Sequence, residues 1–198
     1  MALKSLEINR TWVERMLRLA ESPWERAAVE QRFVDHGWMR PGEVLDWFGG
    51  ACAPHVVTGS DDGIGHRLEL ESADDSGRPD IVGVRLPCAL FWPPTGRDED
   101  EEDEDDEEDE EDELDGDYGS AWVRFPDARR EAFEAEYVRL RALVVAELGE
   151  PDEEGPDEQS DRTALWRRPD FVVELIVMDD LNTYSYYDVI LLRVARAR

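Results

Sequence analysis

Lysine is almost missing from this chain: Lys4 stands alone among 22 basic residues, which face 50 Asp and Glu for a formal charge of −28. So little positive charge excludes unaided binding to nucleic acid or to an anionic membrane surface, since both need a basic footprint. Cysteine is as scarce, with only Cys52 and Cys88. Two thiols make no disulfide framework, and both are expected reduced in the interior. No uncharged apolar run approaches the ~20 residues that cross a bilayer. Met1 to Pro23 carries Arg or Glu every few residues and lacks the apolar core of a signal peptide, so the cytoplasm is the simplest compartment. Internal repeats, a P-loop and a dinucleotide-binding glycine pattern are absent too, which leaves out solenoids and the common nucleotide folds.

What is abundant is acid, and it is concentrated. Asp98-Glu99-Asp100-Glu101-Glu102-Asp103-Glu104-Asp105-Asp106-Glu107-Glu108-Asp109-Glu110-Glu111-Asp112-Glu113 is unbroken, and Asp115 and Asp117 follow. Removing those eighteen charges leaves −10. A second stretch, Glu150 to Asp161, holds seven more, and without them the remainder is −3. The body of the chain is therefore near neutral, and the acidity is an attachment to it. A run of like charges has no apolar surface to bury and repels itself, so the expectation is a disordered insertion. Extended, it carries one charge per ~3.3–3.6 Å, close to the ~3.4 Å of a single DNA strand. Its partners would be cationic, a basic protein above all or loosely held divalent ions; the alternative is a loop that only aids solubility.

Around the insertion the periodicities predict an α+β fold, a largely antiparallel sheet with amphipathic helices packed on it. Residues 1–96 supply helices and strands, 97–119 the acidic linker, and 120–198 a helix and three strands, with the two outer parts expected to form one unit; two independent subdomains meeting at the tract are the alternative. Ile8, Trp12, Val13, Met16, Leu17 and Ala20 predict a helix near 5–20. Ser22-Pro23-Trp24-Glu25 reads as the start of a second, capped by Ser22 and stopped by a left-handed Gly37. Pro41 to Phe48 suggests a short third. Strand signals run from Val56 to Trp92, where Pro87 points to an edge or a bulge. Phe133, Tyr137, Leu140, Val144 and Leu148 mark the strongest helix, ended by Gly149 and Pro151. Strands follow at Thr163–Arg168, Phe171–Met178 and Tyr186–Ala195. Phe171 to Met178 is apolar on both faces apart from Glu174, as in a central strand covered on both sides; the long helix is expected on one face and the amino-terminal helices, or a partner, on the other.

Few residues suggest catalysis. Cys52 and His55, with His66 and Cys88 further on, lack the two tight pairs of a structural zinc site. Asp115-Gly116-Asp117-Tyr118-Gly119 has calcium-like spacing but no twelve-residue loop around it. Ser60 sits in no nucleophile elbow, and His36, His55 and His66 belong to no catalytic motif. Asp61-Asp62 and Asp179-Asp180 offer paired carboxylates to a hydrolase, although their context is that of turns. No metal or cofactor is expected, and a non-enzymatic protein is favoured. Trp166, Tyr184 and Tyr186 lie on or beside the last strands, where aromatics serve as anchors for a protein partner or simply fill the core.

The layout from Phe133 to Arg193 is a helix ending Leu148-Gly149-Glu150-Pro151, an acidic loop, Trp166 and paired strands. It resembles small acidic bacterial proteins that accompany secreted polymorphic toxins as immunity proteins. The resemblance implies binding to a toxin domain and occlusion of its active site, and nucleic-acid-cutting toxins present basic clefts that an acidic inhibitor suits. The sixteen-residue acid run is a departure from that layout, and no functional residue carries over.

Overall fold

Nine strands form one antiparallel sheet among the residues that the computed structural model describes, which are 2–43, 45, 52–56, 67–72, 81–92, 122–156, 162–179 and 187–197. The strands are β1 (Ala2–Leu6), β2 (Cys52–Val56), β3 (Arg67–Ser72), β4 (Ile81–Trp92), β5 (Trp122–Phe125), β6 (Glu153–Gly155), β7 (Arg162–Arg167), β8 (Phe171–Asp179) and β9 (Asp188–Arg196). Three helices accompany them: α1 (Arg10–Ala20), α2 (Arg26–Asp35) and α3 (Arg130–Leu148). The order across the sheet is β2-β3-β4-β9-β8-β7-β6, with β1 beside the second half of β4 and β5 beside β1. This is the expected α+β architecture, and β4 and β9, from opposite sides of the acidic linker, pair along most of their length.

Pro87 is explained by the pairing. On one side of β4, β3 covers Ile81 to Arg85 and β1 covers Ala89 to Trp92, so the proline falls in the gap between them. On the other side the register with β9 shifts between Pro87 and Ala89. It marks a bulge in an interior strand rather than an edge, at a place where its missing N–H costs least.

Both long helices lie on one face. Trp166 of β7 donates its indole N–H to Gly149 O at the end of α3 (2.8 Å), and Phe91 of β4 packs on Phe133 of α3 at 5.6 Å. The cross-strand register puts Val173, Leu175 and Val177 of β8 on that face with Ile190, Leu192 and Val194 of β9 and Val84 and Leu86 of β4. Buried Val13 and Met16 of α1 and Phe133, Tyr137, Leu140 and Val144 of α3 complete the core above them. The expectation that the amino-terminal helices cover the opposite face is thus corrected. Arg139 of α3 donates to Ile8 O (2.6 Å) and Arg10 of α1 pairs with Glu147 (2.7 Å), so α1 and α3 lie side by side on one face. Among the described residues no helix packs on the other.

Local signals account for the helix ends. α1 starts later than its periodicity suggests, at Asn9, whose side chain accepts from Trp12 N, because Ala2 to Leu6 are a strand. Ser22 does not cap α2: its buried hydroxyl donates to Leu19 O (2.6 Å), satisfying a carbonyl in the last turn of α1, and α2 begins after Glu25. Gly37, at φ 72°, does stop α2; Trp38 N then returns to Phe33 O and Gly37 N to Val34 O, the Schellman pattern. That return buries Trp38 completely, stacked on Trp12 at 5.3 Å. Half of the predicted helix at Pro41–Phe48 lies outside the described residues, and its first two residues form a turn.

Candidate functional site

Three places in the fold gather charge or exposed apolar surface. The first is the root of the acidic tract. β1 pairs with β4 on one side (Ala2↔Trp92) and with β5 on the other (Leu6↔Trp122). Both flanking strands run antiparallel to β1, so the connection 93–121 leaves at one end of β1 and returns at the other. Four residue steps along the strand and two strand spacings set that gap at ~17 Å, whereas the connection could reach ~100 Å extended. The polyanion is therefore held at both ends by one short strand and is far longer than its crossing requires.

The second is an open groove beside β5. Its volume is about 620 Å³, and Leu3, Phe125, Ala132 and Ala135 form its floor and walls. Phe125 is 45% exposed and Val123 40%, and on the outer face of α3 Val138 is 57% exposed. Two of the polar residues lining the groove, Glu136 and Arg139, are engaged with each other already. Arg139 donates to Glu136 Oε2 (2.8 Å) and Oε1 (2.5 Å) as well as to Ile8 O, and these contacts hold its guanidinium firmly protonated. Asp127, which also lines the groove, forms no salt bridge with another described residue.

The third is an ion network on the helix-free face. Glu71 of β3, Arg85 of β4, Arg193 of β9 and Glu174 of β8 meet across four adjacent strands. Arg193 contacts both Glu71 oxygens (2.7–2.9 Å) and Glu174, and Arg85 contacts Glu71 as well. Glu71 lies opposite Gly83 in the register. Its carboxylate crosses the glycine to reach β9: a Cβ at Gly83 would overlap Glu71 Oε2 and stand 3.2 Å from Ala195 Cβ. Burial pushes the Glu71 carboxyl up, but the hydrogen bonds and charge of Arg193, then of Arg85, outweigh it and hold the carboxyl below the usual range. The four groups satisfy one another, which makes this a structural clasp rather than a reactive centre.

Of the sequence-predicted anchors, Trp166 is fully buried against α3, so it fills the core and cannot meet a partner. Asp98 to Glu113, Tyr184 and Tyr186 lie outside the described residues, as do Asp61, Asp62, Asp180 and His66. Cys88 is buried at the β4 bulge, and burial pushes its thiol up to about 12, as expected of an inert core cysteine. His36 is buried beneath Trp38; burial, then the charges of Arg15, Arg32 and Arg18, lower it to about 4, so it is neutral at pH 7. Among the described residues no cluster of His, Cys, Asp and Glu is arranged to hold a metal, and no helix is long and apolar enough to cross a membrane. The groove and the clasp were invisible in sequence because each draws on distant segments; Glu174 and Arg193, lone charges in apolar strands, were the available hint. Comparison of the chain with protein families, curated proteins and solved structures finds no match, so its reading rests on its own residues.

Proposed function

We propose that this chain is a non-enzymatic, cytoplasmic protein-binding protein that presents its polyanion to a basic partner, in the manner of an immunity protein that blocks a nucleic-acid-targeting toxin domain. The observation that carries the reading is the rooting of connection 93–121 on both sides of β1, which ties sixteen consecutive carboxylates to a rigid sheet at two points. A tethered polyanion steers a cationic surface over a distance set by the Debye length, ~10 Å at 0.1 M salt and ~3 Å at 1 M. A sheet with the near-neutral remainder of the charge then supplies specificity at contact. Steering of this kind accelerates encounter, so salt should slow association more than it speeds dissociation.

A pull-down with the full chain and with a variant lacking residues 98–113, each at 0.1 M and 1 M salt, tests it. Recovery of a basic partner that falls with deletion and with salt supports the reading. Recovery of none, or binding indifferent to both, refutes it.

A further inference from the structure

Helix α2 and the return that follows it, residues 25–43, close on themselves. Gly37 N bonds to Val34 O and Trp38 N to Phe33 O, and further on Leu45 N donates to Glu30 Oε1 (3.1 Å) while Arg26 donates to Leu45 O. What holds this unit to the body is apolar: Val29 and Phe33 belong to the common core, and Trp38 stacks on Trp12 of α1. Among the described residues no salt bridge joins α1 to α2.

His36 stands at that join. Its ring meets Trp38 at 5.0 Å, it is 8% exposed, and its Nε2 has no hydrogen-bond partner. The charged groups that face it are Arg15 and Arg18 from α1 and Arg32 and Asp35 from α2, three positive against one negative. The carboxylate is spent on its own helix, since Asp35 accepts from Gln31 (2.9 Å) and pairs with Arg32 (3.7 Å). Arg15 reaches over the Trp12 ring (5.9 Å) and forms no salt bridge with another described residue. The indole N–H groups of Trp24 and Trp38 are buried unpaired as well. Polar atoms left without partners lower the cost of opening where they sit, because water satisfies them on release. A proton on His36 adds a fourth positive charge there, and the one facing carboxylate is already engaged.

We propose that residues 25–43 form an acid-released flap: protonation of His36 drives α2 and its return off α1, parts Trp38 from Trp12 and uncovers the aromatic surface between them. The device needs neither the acidic tract nor a partner. Closed, the imidazole takes a proton only at about 4; released into water it takes one near 6.5. The closed state therefore holds its full advantage above pH 6.5 and loses it as pH falls toward 4. The opening equilibrium rises about tenfold from pH 7.5 to 5.5.

Hydrogen exchange of the full chain tests the flap, read as protection factors so that the intrinsic pH dependence of exchange drops out. At pH 7.5 the Gly37, Trp38 and Met39 amides should be at least about tenfold less protected than the paired amides of β8 and β9, the mark of an opening that leaves the sheet intact. At pH 5.5 their protection should fall about tenfold further, and His36→Gln should remove that fall. The His36 ring of the wild type, followed by NMR, should titrate below about pH 5, a measurement that needs no variant to fold. Protection equal to that of β8 and β9 overturns the flap, because residues 25–43 then open only with the whole chain. So does protection unchanged between the two pH values, a fall that persists in His36→Gln, or a ring that titrates near 6.5.

Discussion

Replacing Arg193 with methionine tests whether charge, rather than packing, joins the middle of the sheet. The guanidinium is the hub of the clasp: it meets both oxygens of Glu71 and one of Glu174, with side-chain exposures of 21%, 8% and 20% for the three. Methionine keeps most of the apolar stem and removes the charge. Breaking a buried pair from one side costs ~3–5 kcal/mol because the partner stays behind unpaired. Glu71 retains Arg85, and Arg193 is partly wet, so the cost falls below that range, to about 2–3 kcal/mol. For a chain of this length that is a drop in Tm of about 4–12 °C.

The pH dependence separates mechanisms. Glu71 titrates below its unfolded value, so its ion pair stabilises fully above about pH 4.5 and is lost as pH falls through the lower folded value. The gap between wild type and Arg193→Met, followed by urea unfolding, should be widest at pH 5.5–7 and close toward pH 3.5. Glu71→Gln/Arg193→Met should recover part of the loss, since no buried carboxylate is then stranded at that position. A gap of less than about 0.5 kcal/mol, or one equally wide at pH 3.5, refutes the charge argument.

Gly83→Ala carries a sign opposite to the usual expectation. Alanine for glycine inside a strand ordinarily gains ~0.5–1 kcal/mol, but here the new methyl displaces Glu71 from Arg193, so thermal unfolding should show a net loss that Glu71→Gln relieves. His36 bears on acid stability. Its folded value of about 4 lies below 6.5, so its contribution is complete above pH 6.5 and is lost as pH falls from there toward 4. Burial, Arg15, Arg32 and Arg18 set that direction against the opposing Asp35. Between pH 7 and 5.5 the wild type should lose about 1 kcal/mol more than His36→Gln in urea unfolding; parallel losses would contradict it.

The strongest periodicities survived into the structure, and the failures share one cause. The stripe from Phe133 to Val144 is buried as its spacing predicts, and β7, β8 and β9 fall within two residues of their predicted bounds. Pattern reading works there because each element is long and buries one defined face. β1 escaped because Ala2, Leu3, Lys4 and Leu6 are all buried, so no alternation marks it as a strand, and its apolar residues run on into the helical spacing of α1. β5 escaped because four residues between the acid tract and Pro126 are too few to set a period. β6 consists of Glu153, Glu154 and Gly155, and no apolar signal exists for an edge strand whose carboxylates pair with Arg167 and Arg141. The groove and the clasp were hidden for the same reason: Leu3 meets Phe125 and Glu71 meets Arg193 only through strand order, and strand order is not local information.

Strand order also explains how so much charge rides on a stable body. The ends of connection 93–121 are fixed by β1 pairing with β4 and β5, and loop-closure entropy grows only logarithmically, at about 0.6 kcal/mol per doubling of length. Without residues 98–113, thirteen residues would remain to cross ~17 Å, with an extended reach of ~40 Å. Deletion should therefore shift the denaturation midpoint by an amount equivalent to less than about 1 kcal/mol, since closure favours the shorter loop and self-repulsion is relieved. The length of the tract is thus thermodynamically separate from the fold, and a change in binding on deletion reports on the carboxylates themselves. If the shortened chain instead loses the β1–β5 pairing, seen as a large drop in the midpoint, the tract is part of the structural body and the division between ribbon and sheet fails.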